Sequence, residues 1–242
     1  MAFPDGRKIA GLTKNQLNLL LQQSIRPVTN TPTLNGQGFK DGIIPYFPQD
    51  AVFTLHQLDS LNRADPNGIL SGHLDTQRAG VFGVSLGGMV AAEACHLEPR
   101  LRACLVMEAP MPADVVQAGL QQPSMWILSD LDTWRLQHWS ELDIDEHRTT
   151  MRAVFDSLPG DGYFMQVHKM FHLNLTDVPL LIYPPLGRML GLFGPIDADR
   201  VHHIVNAYTL AFFDRHLKGR PAALLDGPAA QYPDVRFETR RP

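Results

Sequence analysis

The chain has 242 residues, 44% of them hydrophobic, with a formal net charge of -4 and a pI near 6.2. A chain of this length and composition can bury a substantial core, which favours one domain of the α/β class. The 21 lysines and arginines are scattered, so the sequence has no basic patch that would indicate nucleic-acid binding. No apolar run is long enough to span a bilayer, so no membrane span is expected.

The residues also argue against a metal centre or a disulfide framework. The only cysteines are Cys95, in a predicted helix, and Cys104, in a predicted strand, which indicates buried reduced thiols. Because no CxxC, HExxH or Cys/His cluster occurs, we predict no metal and no cofactor. The N-terminal sequence MAFPDGRKIAG lacks the apolar core of a signal peptide, so this sequence favours a cytoplasmic protein. The sequence does not determine the compartment.

The predicted elements follow from hydrophobic spacing and from capping and turn residues. In chain order they are a helix over 14–23 with a Thr13/Gln16 capping box, an irregular lid-like segment over 26–49, a helix over 51–62 behind an Asp50 cap, a strand at 79–85, a helix at 86–97, strands at 102–110 and 124–130, a helix at 146–157, a strand at 163–170 and a helix at 198–217. We therefore divide the chain into residues 1–49, a helix with a lid-like segment, and residues 50–242, an α/β core, which together form one domain.

Strands that are apolar on both faces and alternate with helices indicate a mostly parallel sheet with helices on both faces. Ligands bind such sheets beyond the carboxyl ends of the strands. Five side chains that can carry chemistry fall at or just after predicted strand ends: Ser85, Glu108, Asp130, Asp132 and His172.

The stretch GVFGVSLGG, residues 80–88, matches the nucleophile elbow, in which a serine protrudes from a strained strand-to-helix turn. Gly83 and Gly87 flank Ser85, and glycine permits a close backbone approach that a Cβ atom would block. We predict Ser85 as the nucleophile and the N–H of Leu86 as an oxyanion donor. The alternative is an idle serine in a tight turn, while the common phosphate-loop patterns do not fit.

A serine nucleophile requires a histidine as base and an acid that orients the imidazole. His172 follows the last predicted strand, in the chain order serine, acid, histidine of this kind of fold. Glu108 and Asp132 both remain open as the acid, and a glutamate directly after the apolar run CLVM is costly to bury without a partner. Three aromatic residues are candidate walls of a substrate pocket, although such residues more often belong to the core: Trp134, Trp139 and Phe171.

From residue 50 to about residue 237 the chain resembles the α/β-hydrolase family of plasma-type platelet-activating-factor acetylhydrolases and their microbial and fungal relatives. The likeness lies in DAVFTLHQLDSLN, GHLDTQRAGVFGVSLGGMVAAEA, LRACLVMEAPMPADVVQAGLQQP, FHLNLTDVPLL and AYTLAFFDRHLKGRP. The resemblance implies an α/β-hydrolase fold, His172 as base, and an acid at Glu108, where the family has aspartate. A resemblance to the related cutinase-like polyester hydrolases would instead imply Asp132 as the acid. We prefer Glu108 for this role.

The likeness also implies that the fold is N-terminally shortened. FPDGR, residues 3–7, resembles a segment that the family places after its first strands and after the loop with a second oxyanion N–H. Loss of one oxyanion donor typically lowers the rate by roughly 10²–10³. An uncovered sheet edge favours pairing with another chain, so we expect a homo-oligomer or a weakly active protein.

The leading interpretation is a serine carboxylic-ester hydrolase that forms an acyl-enzyme on Ser85 with a small-molecule or lipid ester. One alternative keeps the triad and performs acyl transfer or cyclisation on a natural product. The other alternative is a degenerate hydrolase fold that serves as a binding or assembly module.

Overall fold

A five-stranded central sheet organises the molecule, in a computed structural model that describes residues 13–34 and 36–242. A hairpin of β1 (Thr33–Leu34) and β2 (Gln37–Gly38) precedes the sheet strands β3 (Ala79–Val84), β4 (Leu101–Met107), β5 (Ser124–Ser129), β6 (Gly162–Val167) and β7 (Val235–Arg240). Strands β3 to β6 are parallel neighbours in chain order, and β7 pairs antiparallel with β6. The predicted mostly parallel sheet is confirmed.

The helices are α1 (Lys14–Ile25), α2 (Pro48–Arg63), α3 (Leu86–Leu97), α4 (Ala113–Ala118), α5 (Leu131–Leu136), α6 (Glu141–Ser157), α7 (Val178–Leu181), α8 (Pro184–Met189) and α9 (Ala198–Lys218), with short 3₁₀ turns at Ile44–Tyr46, Thr76–Arg78, His172–Leu175 and Ala223–Leu225. All the predicted helices are present. The capping box of α1 is formed as expected. Asp50 is not a cap, however, because α2 begins at Pro48 and places Asp50 in its first turn.

Helices cover both faces of the sheet, as predicted. Along β4, Cys104 and Val106 face the cluster that contains residues of α3 and α6, whereas Leu105 and Met107 face α9. This alternation is the period-2 geometry of a strand that is buried on both sides. Each fully buried large apolar side chain contributes about 1.5–3 kcal/mol to the stability of the fold. The two helical layers therefore hold the strands, and the site at their ends, in place.

Helix α1 fixes the irregular segment that follows it. Gln23 Nε2 donates to the carbonyl of Lys40 at 2.6 Å, and Ser24 Oγ donates to the carbonyl of Asp41 at 3.0 Å. Ser24 Oγ also accepts the N–H of Ile44 at 3.0 Å. Backbone groups of the segment, among them the buried N–H of Ile44, are therefore bound by side chains of α1. The lid-like role of the segment and the division of the chain after residue 49 stay predictions.

The two edges of the sheet differ. Strand β3 has β4 as its only strand neighbour in the described ranges 13–34 and 36–242, and β7 forms the opposite edge. The sequence predicted the four strands β3 to β6 and missed β7, and it also missed the hairpin of β1 and β2 in the segment expected to be irregular. FPDGR lies outside the described residues. Within the described part of the chain, the helices are too short or too polar to cross a bilayer.

Candidate active site

Ser85 lies at a sharp turn between β3 and α3. Its backbone has φ 57 and ψ -125, a region that residues with a Cβ atom rarely enter. Its N–H donates to the carbonyl of Met107 at 2.8 Å, and its carbonyl accepts the N–H of Gly88 at 2.8 Å. The turn is thus held by the neighbouring strand on one side and by the helix on the other.

The glycines around Ser85 are not equivalent. A Cβ atom on Gly83 would lie 2.0 Å from the carbonyl oxygen of Gly87, and one on Gly88 would lie 2.8 Å from the Cβ of Ala109. A Cβ atom on Gly87 would meet no atom within 4 Å. The expectation of a close backbone approach is therefore confirmed at Gly83 and is wrong at Gly87.

Leu86 is the first residue of α3. Its N–H belongs to the first turn, where backbone N–H groups have no acceptor within the helix. The positive end of the helix dipole adds to this N–H in favouring a negative oxygen beside Ser85. The predicted role of Leu86 as an oxyanion donor has this physical basis and stays a prediction.

Glu108 follows the last residue of β4 and is buried. Its backbone φ is 46, so it shares with Ser85 a positive φ that is unfavourable for side chains with a Cβ atom. The N–H of Ser129 donates to Oε1, and the indole Nε1 of Trp134 donates to Oε2 at 3.1 Å. Both oxygens of this buried carboxyl group are therefore bound by N–H donors.

His172 begins the 3₁₀ turn after β6, and its ring faces Glu108. Nδ1 of His172 lies 3.6 Å from Oε2 of Glu108. That separation exceeds a hydrogen bond, and the buried Nδ1 has no other partner among the described residues. Catalytic hydrogen bonds are often long in unliganded sites and tighten with substrate. The backbone N–H of His172 donates to Oε1 of Gln137 at 3.0 Å, which fixes the turn.

The structure does not bring Asp132 to this cluster. Asp132 lies in the first turn of α5 with its side chain 89% exposed, and its charged neighbour is Arg135 at 4.0 Å. Asp130, one residue before the helix, accepts the N–H of Thr133 at 2.7 Å and contacts His168. Asp130 is therefore the N-cap of α5, and Glu108 is the carboxyl group that faces His172.

Ser85, Glu108 and His172 open onto one cavity of about 520 Å³. The other residues that line it are Asn18, Leu21, Gln22, Ile25, Met89, Pro110, Trp139, Asp143, Glu146 and His147. Four of these come from α1, so the N-terminal helix contributes a wall that the sequence did not predict. The cavity combines an apolar side with several polar groups, as ligand sites commonly do.

The three predicted wall aromatics take different places. Trp139 lines the cavity, and its ring centroid lies 6.4 Å from that of His172. Trp134 is buried behind it, stacked at 5.5 Å with an interplanar angle of 12°. Phe171 lines a separate cavity of about 380 Å³ together with Phe193.

Sequence reasoning missed a polar side of the cavity on α6. Burial raises the pKa of Glu146, although Arg26 is paired with it. Burial likewise lowers the pKa of His147, whose Nδ1 contacts the carbonyl of Asp143 at 2.8 Å. Asp143, Glu146 and His147 have the i, i+3, i+4 spacing of one helix face. They were not grouped from the sequence, because the predicted helix begins at residue 146, after Asp143. In the described ranges no group of three His, Cys, Asp or Glu residues could hold a metal ion.

The chain is similar to a known protein family, to a named relative and to a solved structure. The family profile "Platelet-activating factor acetylhydrolase, isoform II" matches residues 62–222. A platelet-activating factor acetylhydrolase from Gallus gallus is 27% identical over 151 residues, which are 61% of this chain and 33% of that protein. The solved structure of a ferulic acid esterase from Streptomyces cinnamoneus is similar with a TM-score of 0.63 and 25% identity, over 87% of this chain and 62% of the esterase. The chain thus spans about a third of the length of the avian protein.

Proposed function

Because the chain belongs to the family of platelet-activating factor acetylhydrolase, isoform II, we propose that it is a carboxylic-ester hydrolase that forms an acyl-enzyme on Ser85. The observation that carries the proposal is the position of Ser85, at a positive-φ elbow that opens onto the same cavity as His172. Glu108, behind His172, supplies the third group that such chemistry requires.

Each residue has one task in this reaction. His172 removes the proton of the Ser85 hydroxyl as the oxygen attacks the ester carbonyl, and later gives it to the departing alcohol. Since Nδ1 of His172 faces Glu108, Nε2 is the nitrogen left for Ser85. Glu108 fixes this tautomer and stabilises the imidazolium. The N–H of Leu86 donates a hydrogen bond to the carbonyl oxygen and stabilises the negative charge that develops on it.

The substrate that fits is a small-molecule or lipid ester with an acyl or alcohol group of modest size. Apolar side chains of Leu21, Ile25 and Met89 line one part of the cavity. Such a wall binds an alkyl or aryl group by removing it from water. The avian relative is named as an acetylhydrolase and the solved neighbour as a ferulic acid esterase, and both names denote hydrolysis of an ester.

Labelling with a fluorophosphonate probe tests the nucleophile. Wild-type protein should react at Ser85, as mapped by peptide mass spectrometry, and should hydrolyse p-nitrophenyl acetate. Ser85→Ala should lose both properties while it unfolds in the same denaturant range. Folded wild-type protein that takes up no label would overturn the proposal.

Neither alternative from the sequence has a specific observation in its favour. Acyl transfer or cyclisation would use the same three residues, and an added alcohol or amine acceptor would then yield an ester or amide product. A binding module would keep its biological effect in Ser85→Ala, whereas the effect of an ester hydrolase would be lost.

A further inference from the structure

We propose that Trp134 is a positioning residue, whose indole N–H holds Oε2 of Glu108 in place to receive the Nδ1 proton of His172. This inference rests on the proposed function, because it assigns Glu108 the task of orienting His172. Trp134 acts only through its hydrogen bond to the carboxyl group of Glu108. It does not contact the substrate, because it lies behind Trp139 and does not line the cavity.

The contacts of Glu108 show why a second donor is needed. The N–H of Ser129 binds Oε1 alone, which leaves the carboxyl group free to turn about its last torsion. Glutamate adopts a broad range of angles about this torsion, and its extra methylene group adds a rotatable bond that aspartate lacks. The indole Nε1 binds Oε2 at 3.1 Å, so donors on both oxygens fix the plane of the carboxyl group.

The oxygen that accepts from Trp134 is also the oxygen that faces His172. Oε2 lies 3.6 Å from Nδ1 of His172. A carboxylate oxygen has two lone pairs, so it can accept from the indole and from the imidazole together. Trp134 thereby sets the starting position from which the contact with His172 shortens in the reaction.

The indole itself is rigidly held. Trp134 is fully buried, stacks on Trp139, and packs edge-on against His147 at 5.9 Å between ring centroids. Trp139 in turn contacts the ring of His172. A donor that cannot move is suited to positioning, because supporting groups act by fixing the residue that does the chemistry.

Trp126 offers a matched control. It is as fully buried as Trp134 and packs edge-on against Phe155, but its Nε1 has no hydrogen-bond partner among the described residues. Substitution by phenylalanine removes indole surface at both positions, and removes a hydrogen bond only at Trp134. The difference between the two variants therefore isolates the N–H of Trp134.

The first measurement compares Trp134→Phe and Trp126→Phe in steady-state hydrolysis of p-nitrophenyl acetate. A hydrogen bond to a charged group that is lost from the transition state lowers kcat by roughly ten- to a hundredfold. We expect that loss in Trp134→Phe with KM unchanged, and kcat near the wild-type value in Trp126→Phe. Equal losses in the two variants would overturn the inference, because they would reflect packing alone.

A double-mutant cycle with Glu108→Ala separates positioning from structure. If Trp134 acts through Glu108, Trp134→Phe slows fluorophosphonate labelling of wild-type protein but has little further effect once Glu108 is alanine. Additive effects on the labelling rate would contradict the inference.

A second variant keeps the test valid if Trp134→Phe does not fold. Replacing Trp134 by 3-benzothienylalanine retains the shape of the indole and exchanges N–H for sulfur, with the same replacement at Trp126 as the control. A slower labelling rate at Trp134 alone supports the inference, and an unchanged rate overturns it. Wild-type protein that is not labelled at Ser85 would instead be a failure of the proposed function itself.

Discussion

At the scale of single residues, the candidate site concentrates unfavourable backbone geometry. Ser85 and Glu108 both have a positive φ, at the ends of the adjacent parallel strands β3 and β4. Each such residue costs of order 1–3 kcal/mol, which the surrounding hydrogen bonds must offset. Two backbone hydrogen bonds contribute to this. The N–H of Ser85 donates to the carbonyl of Met107, and the N–H of Glu108 donates to the carbonyl of Ile127 at 3.0 Å.

Two conservative substitutions test which residue is the acid of the proposed triad. Glu108→Gln keeps the shape of the side chain but removes the charge that stabilises the imidazolium, so kcat should fall by roughly 10³–10⁴. Asp132→Asn should leave kcat unchanged, because Asp132 is exposed beside Arg135. Ester hydrolysis at saturating substrate measures both. A large loss in Asp132→Asn with an active Glu108→Gln would assign the acid to Asp132.

The two glycines that flank Ser85 should respond oppositely to alanine. Gly83→Ala places a methyl group 2.0 Å from the carbonyl oxygen of Gly87 and should destabilise the protein by at least about 3 kcal/mol. Gly87→Ala meets no atom and should change the free energy of unfolding by less than about 1 kcal/mol. Urea unfolding of both variants checks this, and similar midpoints would contradict the close approach at Gly83.

At the scale of elements, the sequence was informative where local pattern decides the structure. Helix α3 and the elbow before it were predicted from glycine spacing and an apolar run. Strand β7 was missed because the predicted strands were apolar on both faces, whereas VRFETR has a charged residue at every second position and follows a segment rich in proline and glycine. The bond from Trp134 to Glu108 joins residues 26 positions apart on different elements, and no local pattern reports it.

The contact of α3 with α4 contains an unusual buried acid, Glu93. Its carboxyl oxygens have no hydrogen-bond partner among the described residues. Burial, followed by the neighbouring carboxyl group of Asp114, raises the pKa of Glu93 to about 9. The folded chain therefore keeps a proton there that the unfolded chain releases near its ordinary pKa of 4.5.

The sign of the pH dependence follows from this difference in proton binding. The contribution of Glu93 is fully present below pH 4.5 and is lost as the pH rises toward 9, by at most about 1.4 kcal/mol per pH unit. Glu93→Gln should flatten the decline in unfolding free energy between pH 6 and pH 9. Denaturant titrations at several pH values measure the slope.

Glu141→Gln is the control for this titration. Glu141 is exposed on α6, and Arg135 lowers its pKa, so it does not titrate between pH 6 and pH 9. Its substitution should leave the wild-type slope intact. An equal slope in wild type and Glu93→Gln would show that Glu93 is ionised in the folded protein at neutral pH.

At the scale of the whole molecule, strand β3 links the site to an exposed edge. The strand that ends at Ser85 has β4 on one side and no described strand on the other. Phe82, in the middle of β3, is 61% exposed and packs edge-on against Phe213 of α9. Exposed edges of this kind pair readily with other strands. We therefore expect the homo-oligomer predicted from the sequence to pair through the edge of β3, and the oligomer itself stays a prediction.

The oligomer prediction can be tested with two phenylalanines of equal exposure. A lysine on an edge strand opposes pairing, so Phe82→Lys should shift the protein toward the monomer in sedimentation velocity over a micromolar concentration series. Phe53, on the surface of α2, is also 61% exposed, and Phe53→Lys should sediment like the wild type because α2 has no free strand edge. A wild-type protein that stays monomeric throughout the series, or an equal shift in both variants, would exclude association through β3.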